Sequence, residues 1–524
     1  MSKENSSKKY ILVIDVGTQS IRASFIDLEG VICEIKRTPI EAYYSTQPGF
    51  SEQDPEYFWK KLCETTQALF KNTSIDIGQL HGMSLTTQRG TVVNLDKDGK
   101  PLRPAIIWLD QRKAKVDKWP KGIVKLALKL VGVYKSIDYA IKEGESNWIR
   151  QNQPEIWGKT DKFLLLSGFF ISRLSNLYVD SVGSMVGYIP FDYKKHQYSN
   201  PNSINYKLFP IEQEKLATLV NPSELIGNIT KNASKQTGIP VGLPIIAAAS
   251  DKACEVLGSG VLSPDVACLS YGTTATIQTV SKKYIEVLKT FPAYPSAIPH
   301  YFNTEVMIYR GFWMINWFKN QFGHLEMELA EKLNKKPEDL FDEMIKDVPP
   351  GSMGLTLQPY WSPNIKLSGI EAKGAIIGFG DVHTRAHLYR AILEGIAYAL
   401  KDGTLRTEKK TKIKIKKIRV SGGGSQSKNA LQLTADIFNL PVEKPHTYET
   451  SSLGAAINAA VGLKLYPDFE TAIEKMCHVS EIYMPIPENV IRYNQLFYKV
   501  YNKMYKILKP LYNNIYKIIN YPEK

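Results

Sequence analysis

The sequence has 524 residues, 43% hydrophobic and 23% charged, an ordinary globular balance, and at this length one core does not suffice, so two large domains are expected. The net charge is +14, but the excess sits in two clusters, 409–417 and the tail lysines Lys499, Lys503, Lys506, Lys509 and Lys517, which read as solvated faces without any nucleic-acid motif. No apolar run is long enough to span a membrane, the first ten residues lack a secretory apolar core, and the five cysteines have neither disulfide nor zinc spacing; a cytoplasmic protein with no nucleic-acid or membrane partner is expected.

In chain order, the β-branched run 11–14 predicts a buried strand closed by Asp15. A polar turn of Gly17, Thr18, Gln19 and Ser20 leads through Arg22 into a second strand at 21–26. Such a hairpin tip offers N–H groups, hydroxyls and a guanidinium to an anion, beside a carboxylate able to hold Mg²⁺ through water. A third strand is expected at 31–35, and Asp54-Pro55 starts a helix with proline at its first position. The strand 79–85 ends in Thr86-Thr87-Gln88-Arg89-Gly90, and strands at 91–95 and 105–108 lead to Trp108 and Asp110. This alternation predicts an α/β fold. Helices are expected over 145–152 and 161–174, followed by a polar stretch carrying Asp180.

Asp251 sits between an apolar strand, 244–249, and a short helix, 252–257, a position suited to a helix N-cap and to a general base alike. Strands at 266–270 and 276–280 flank Tyr271-Gly272-Thr273-Thr274, repeating the opening strand–Gly-Thr–strand pattern as a duplicated fold would. A buried helix at 386–399 and a strand at 418–420 precede Ser421-Gly422-Gly423-Gly424-Ser425-Gln426. Helices follow at 429–438 and 453–460, then a tail with helical spacing over 492–519 in which Pro510 is a kink or break.

Three glycine turns thus follow strands, and glycine lets backbone amides approach a phosphate closely. None is a Walker loop or a dinucleotide fingerprint. Gln88, Arg89, Trp108 and Asp110 combine planar hydrogen-bonding groups with an aromatic wall, a mixture suited to a polyol.

Taken in order, DVGTQSIR (15–22), TTQRG (86–90), PAIIWLDQR (104–112), SDKA (250–253), SYGTTATI (270–277), the run 374–400 and SGGGSQSKNALQLTADIFNLPV (421–442) resemble the FGGY carbohydrate kinases, the family of glycerol kinase, xylulokinase and gluconokinase. The resemblance implies two actin-like (RNase H-like) ATPase domains with an interdomain cleft, divided here as 8–250, 251–467 and a helical tail, 468–524. It implies Mg²⁺-dependent transfer of the ATP γ-phosphate to a sugar or polyol hydroxyl, with a small-molecule substrate and a homodimer among the expected assemblies. On the same resemblance Asp251 is the general base and Asp15 lies near Mg²⁺. Thr18, Gln19, Ser20, Arg22, Gly272, Thr273, Gly311, Gly422, Gly423 and Ser427 serve the nucleotide, while Gln88, Arg89, Trp108, Asp110 and Tyr139 line the substrate pocket. Gly90 stands where glycerol kinases carry a glutamate, which argues against glycerol; xylulokinases carry Met-His there, so Gln88-Arg89-Gly90 does not match them either, yet 145–176 is more similar to xylulokinases, so a ketopentose such as xylulose is the expected substrate. Glycerol kinase-like activity and a non-catalytic sugar- and nucleotide-binding module are the alternatives. Lys252 replaces the amide usual after the catalytic aspartate.

Overall fold

Two β-sheets wound in the same order carry the molecule. The computed structural model describes residues 8–116, 119–288, 291–361 and 371–519, so the readings of residues 1–7 and of the tail end beyond 519 lie outside the described residues. In the first sheet Tyr10–Val16 pairs antiparallel with Ser20–Asp27, which pairs antiparallel with Ile32–Pro39. On its other side Tyr10–Val16 runs parallel to Leu80–Thr87, which is parallel to Pro244–Ala247, and Leu225–Asn228 closes that edge antiparallel. The second sheet repeats the scheme. Val266–Tyr271 pairs antiparallel with Ala275–Ser281, and that strand with Phe302–Ile308. Lys417–Ser421 and Val442–Pro445 follow in parallel, and Val479–Tyr483 closes the edge antiparallel. Both central strands are almost wholly buried, which is why they read as apolar runs and not as alternating ones. The α/β architecture with two domains is therefore as expected, and the duplication glimpsed in two hairpins extends over both sheets.

Several elements differ from their sequence readings. The span 161–174 is a strand, Lys162–Leu165, followed by a helix, Leu166–Ser175. Its apolar run carries no periodicity to separate the two, and pairing with Val92–Leu95 in a small four-stranded sheet decides the matter. The helix expected over 386–399 runs from Arg385 to Thr411. Its later turns bury Lys401, whose ammonium donates to Ile437 O at 2.6 Å and to Asn494 Oδ1 at 2.7 Å. The segment after 468 is not only helical, since it contributes the edge strand Val479–Tyr483. Its final helix, Asn502–Ile519, passes through Pro510 without ending, and Tyr493, Phe497, Tyr501 and Met504 join the core of the second sheet.

One helix crossing fixes the relation of the two halves. Thr450–Gly462 follows the last parallel strand of the second sheet, yet its small side chains share a core with Ile11, Val13 and Ile246 of the first. It crosses the helix Asp251–Gly258 almost backbone to backbone. A Cβ on Gly454 would lie 1.9 Å from Cys254 O, and one on Gly258 1.9 Å from Thr450 O, so neither position accepts a side chain without separating the helices.

Candidate functional site

The first hairpin turns tightly, Gly17 N donating to Ser20 O at 3.0 Å, and its register sets Asp15 opposite Arg22. The Arg22 guanidinium lies 3.4 Å from Asp15 Oδ2 and also pairs with Glu449, immediately before the crossing helix. Arg37 reaches the other oxygen of Glu449 at 2.7 Å. Burial pushes the Asp15 carboxyl up to about 6; Arg22 opposes this, and the charges of Glu449 and Asp251 add to it. Gln19 and Thr273 are exposed at the tips of the two hairpins, and Ser20 is half-buried.

Trp108 ties the first turn to the end of the strand Leu80–Thr87. Its indole N–H is shared between Thr18 Oγ1 and Gln88 Oε1, each at 3.1 Å, and Thr18 Oγ1 donates to Gln88 Oε1 at 3.1 Å. The next residue, Arg89, crosses the cleft. It pairs with both oxygens of Glu305 at 2.9 and 3.3 Å and lies over the Tyr294 ring at 5.5 Å. Glu305 comes from the strand Phe302–Ile308 of the second sheet, and its side chain is 0% exposed, so this ion pair joins the two halves away from water. Burial works against the Arg89 charge, but Glu305 and Asp251 outweigh it and hold the guanidinium protonated above its usual range. Burial raises the Tyr139 phenol, and the charges of Glu143 and of Tyr309 from the second half add to the rise.

Asp251 opens its helix as the first helical residue, and Ser250 takes the cap position. The carboxylate keeps a single local bond, from Lys252 N to Oδ1 at 2.7 Å. Burial raises its pKa, while Arg89 and Lys252 oppose that rise. Lys252 turns the other way. Its ammonium donates to Glu255 Oε2 at 2.6 Å and Ser270 Oγ at 2.8 Å, beneath the second hairpin turn, where a Cβ on Gly272 would lie 3.9 Å from Nζ. Glu255 Oε1 in turn accepts from Ser270 Oγ and Ser421 Oγ at 2.7 and 2.6 Å. Gly422 has φ +78°, and a Cβ there would meet Gly272 N at 3.3 Å, so the second and third glycine turns touch.

The anticipated residues do not all meet in one place. Asp15, Arg22, Asp251 and Arg89 form one electrostatic group, Thr18, Gln88 and Trp108 adjoin it, and Gly272 and Gly422 lie together on the facing side. Gly423 has open space around its Cα. Gly311 is buried, and a Cβ on it would sit 2.3 Å from Ala275 Cβ, so its missing side chain serves packing. Ser427 caps the helix Lys428–Phe438, and its hydroxyl donates to Asp342 at 2.6 Å. Both oxygens of Asp110 are taken, by Arg112 at 2.8 Å and by the amide of Ser51 at 2.7 Å, in a buried network that includes Glu52 and Arg103. Asp110 therefore braces the loop carrying Trp108 and has no oxygen left for a ligand. Sequence reasoning missed Glu305 and Glu449. For Glu305 a signal existed, a lone carboxylate in an otherwise buried strand, FNTEVMI.

Two sequence profiles match the chain, the N-terminal domain of the FGGY family of carbohydrate kinases over residues 10–258 and the C-terminal domain of that family over 267–463. An uncharacterized sugar kinase of Escherichia coli, YgcE, is 29% identical over 521 residues, 98% of this chain and 97% of its own. A xylulose kinase of Staphylococcus epidermidis is 28% identical over 516 residues, 98% of this chain and all of its own. Among solved structures, a ligand-bound xylulose kinase from Lactobacillus acidophilus superimposes with a TM-score of 0.81 at 23% identity, covering 97% of this chain and 99% of its own. Gluconate kinase from the same organism also gives 0.81, at 22% identity, covering 97% of this chain and all of its own; at these identities the two structures speak for the fold alone.

Proposed function

The chain belongs to the FGGY family of carbohydrate kinases, phosphotransferases, and from that membership we propose that it transfers the γ-phosphoryl group of ATP to a hydroxyl of a neutral polyhydroxyl sugar, a ketopentose such as xylulose. The observation that carries this reading is the continuity of contacts between the glycine turns and the carboxylates. A run of groups leads from the Gly17 turn through Arg22, Asp15 and Asp251 to Lys252 and the Gly272 turn, and Arg89 and Glu305 close over it from opposite halves.

Each part has a task in phosphoryl transfer, where positioning and charge neutralisation dominate. The amides of the glycine turns hold polyphosphate oxygens, and Arg22 sets a positive charge beside them. Asp251, with no partner beyond its own helix start, accepts the proton of the attacking hydroxyl; its raised pKa makes it a stronger base than a solvated aspartate. The indole of Trp108 forms a wall, and Gln88, Arg89 and Glu305 bind hydroxyls. Mg²⁺ fits Asp15: the donor is a hard oxygen, and excess carboxylate charge from Glu449 and Asp251 surrounds it. Among the described residues no group of three metal-ligating side chains is close enough to bind an ion by itself, which suits an ion held by one or two carboxylates and by phosphate. Bound there, it would neutralise phosphate charge. A neutral sugar is favoured because the pocket's guanidinium is already paired to Glu305, leaving Asp251 to repel an acidic one. Relatives named xylulose kinase point the same way.

The test is ADP release with a panel of pentuloses, hexuloses, aldonates and glycerol. A ketopentose should give the highest kcat/KM, and Asp251→Ala should lower turnover by about 10³-fold or more while ATP binding stays close to normal. A variant that keeps most of its activity would overturn the role of Asp251, and ADP release with no compound on the panel would favour the non-catalytic alternative.

A further inference from the structure

Lys252 stands where the family pattern has an amide, and its surroundings are built for a fixed cation. The helix Asp251–Gly258 brings Glu255 one turn below it, and the strand Val266–Tyr271 brings Ser270 from the second sheet. These two take two of the three ammonium protons, at 2.6 and 2.8 Å, and Glu255 is itself held by Ser270 and Ser421. The side chain is 18% exposed, so its end is neither free in solvent nor sealed in the core. The third N–H remains beside the Gly272 turn, where a Cβ would lie 3.9 Å from Nζ. An ammonium anchored twice and open once cannot swing away, so it acts as a fixed donor. Were the ion pair with Glu255 its whole purpose, an exposed partner further along the helix would do as well; burying it under a glycine turn at the cleft costs desolvation, which contact with an anion offsets.

We propose that Lys252 is a catalytic residue: its third N–H donates to an oxygen of the γ-phosphoryl group of ATP, holding that group between the Gly272 turn and the sugar hydroxyl. The proposal rests on the kinase reading above. In the step it serves, the hydroxyl oxygen bonds to the γ-phosphorus as the bond from that phosphorus to the β,γ-bridging oxygen breaks. The bonding electrons leave on ADP, the hydroxyl proton passes to Asp251, and the ammonium keeps its protons while stabilising charge on the transferring group. The contact is specific to the γ-phosphate, so it distinguishes ATP from ADP.

The experiment compares wild type with Lys252→Gln, which restores the family's amide, and Lys252→Arg, which keeps the charge. Measurements are ATP and ADP affinities by calorimetry, kcat with the best sugar of the panel, and thermal stability. Lys252→Gln should lower kcat by about 10–10²-fold and weaken ATP about tenfold with ADP unchanged, and Lys252→Arg should retain part of the ATP preference. Equal loss for both nucleotides together with lower thermal stability would mean a structural ion pair only and overturn the proposal, as would a kcat within twofold of wild type. If Lys252→Gln fails to fold, Ser270→Ala, which removes one anchor of Nζ, should give a smaller shift in the same ATP-to-ADP ratio, and an unchanged ratio there would overturn it. The wild-type panel separates the premises: no ADP release by wild type with any sugar defeats the kinase reading, whereas a wild type that turns over beside an unaffected Lys252→Gln defeats only the lysine.

Discussion

At the residue scale the cleft is a problem of buried charge. Asp15 is 1% exposed, and its carboxyl is pushed from 3.8 to about 6 by burial, with Glu449 and Asp251 adding to the rise. A carboxyl whose folded pKa is raised binds more protons in the native state than in the unfolded state between those values. Stability therefore falls as pH rises from about 4 to about 6, and above that the ionised group carries a cost of up to about 3 kcal/mol. Asp15→Asn should remove this cost. Without ligand, its Tm should exceed that of wild type above pH 6, and the difference should shrink toward zero near pH 4. A difference that does not vary with pH would show that Asp15 is not a buried, strained carboxylate. Asp251 and Arg89 were legible in the sequence because they stand at strand ends next to glycine-bearing or polar turns. For Glu305 only the lone carboxylate in an apolar strand was legible; its partner is 216 residues away, and only folding brings the two together.

At the element scale the position of Asp251 is set by two helices that touch through glycine. Gly454→Ala puts a methyl 1.9 Å from Cys254 O, which forces the helices apart. It should destabilise the protein by about 3 kcal/mol, at the upper end of overpacking, and lower kcat by moving the first turn of the helix Asp251–Gly258. Gly423→Ala is the control, because nothing lies within 4 Å of a Cβ there. It should leave the melting temperature within a degree or two, so any loss of nucleotide affinity reports a contact with the third glycine turn. Urea denaturation and ATP titration of the two variants separate these outcomes. The small-residue character of 453–460 announced close packing in the sequence. Which helix it packs against was not announced, since Ala-rich faces fit many partners.

At the scale of the whole molecule, two sheets share one winding, and charge pairs join the two halves. Arg22 and Arg37 of the first half hold Glu449, while Arg89 holds Glu305 of the second sheet. Among the described residues no helix is long and apolar enough to cross a membrane. Breaking the buried Arg89 pair leaves a charge without its partner, a loss of about 3–5 kcal/mol where nothing relaxes. Glu305→Gln should therefore open the cleft, raising the radius of gyration in small-angle scattering without ligand, and raise the sugar KM about tenfold, equal to about 1.4 kcal/mol of binding. An unchanged radius and an unchanged KM would remove Glu305 from both closure and binding.

The sequence by itself determined the local pieces: two apolar strands turned by glycine, an aspartate at the head of a short helix, a proline-started helix, and motifs in an order that implied the family. These are fixed by neighbours in the chain, through turn chemistry, capping and periodicity. Only the tertiary structure decided that Asp110 braces a loop, that Gly311 serves packing, that 162–165 is a strand and that Lys252 points under the second turn. Each of those outcomes depends on a partner far away in sequence, and the side chain with the best geometry and the least exposed charge wins only once both halves are folded.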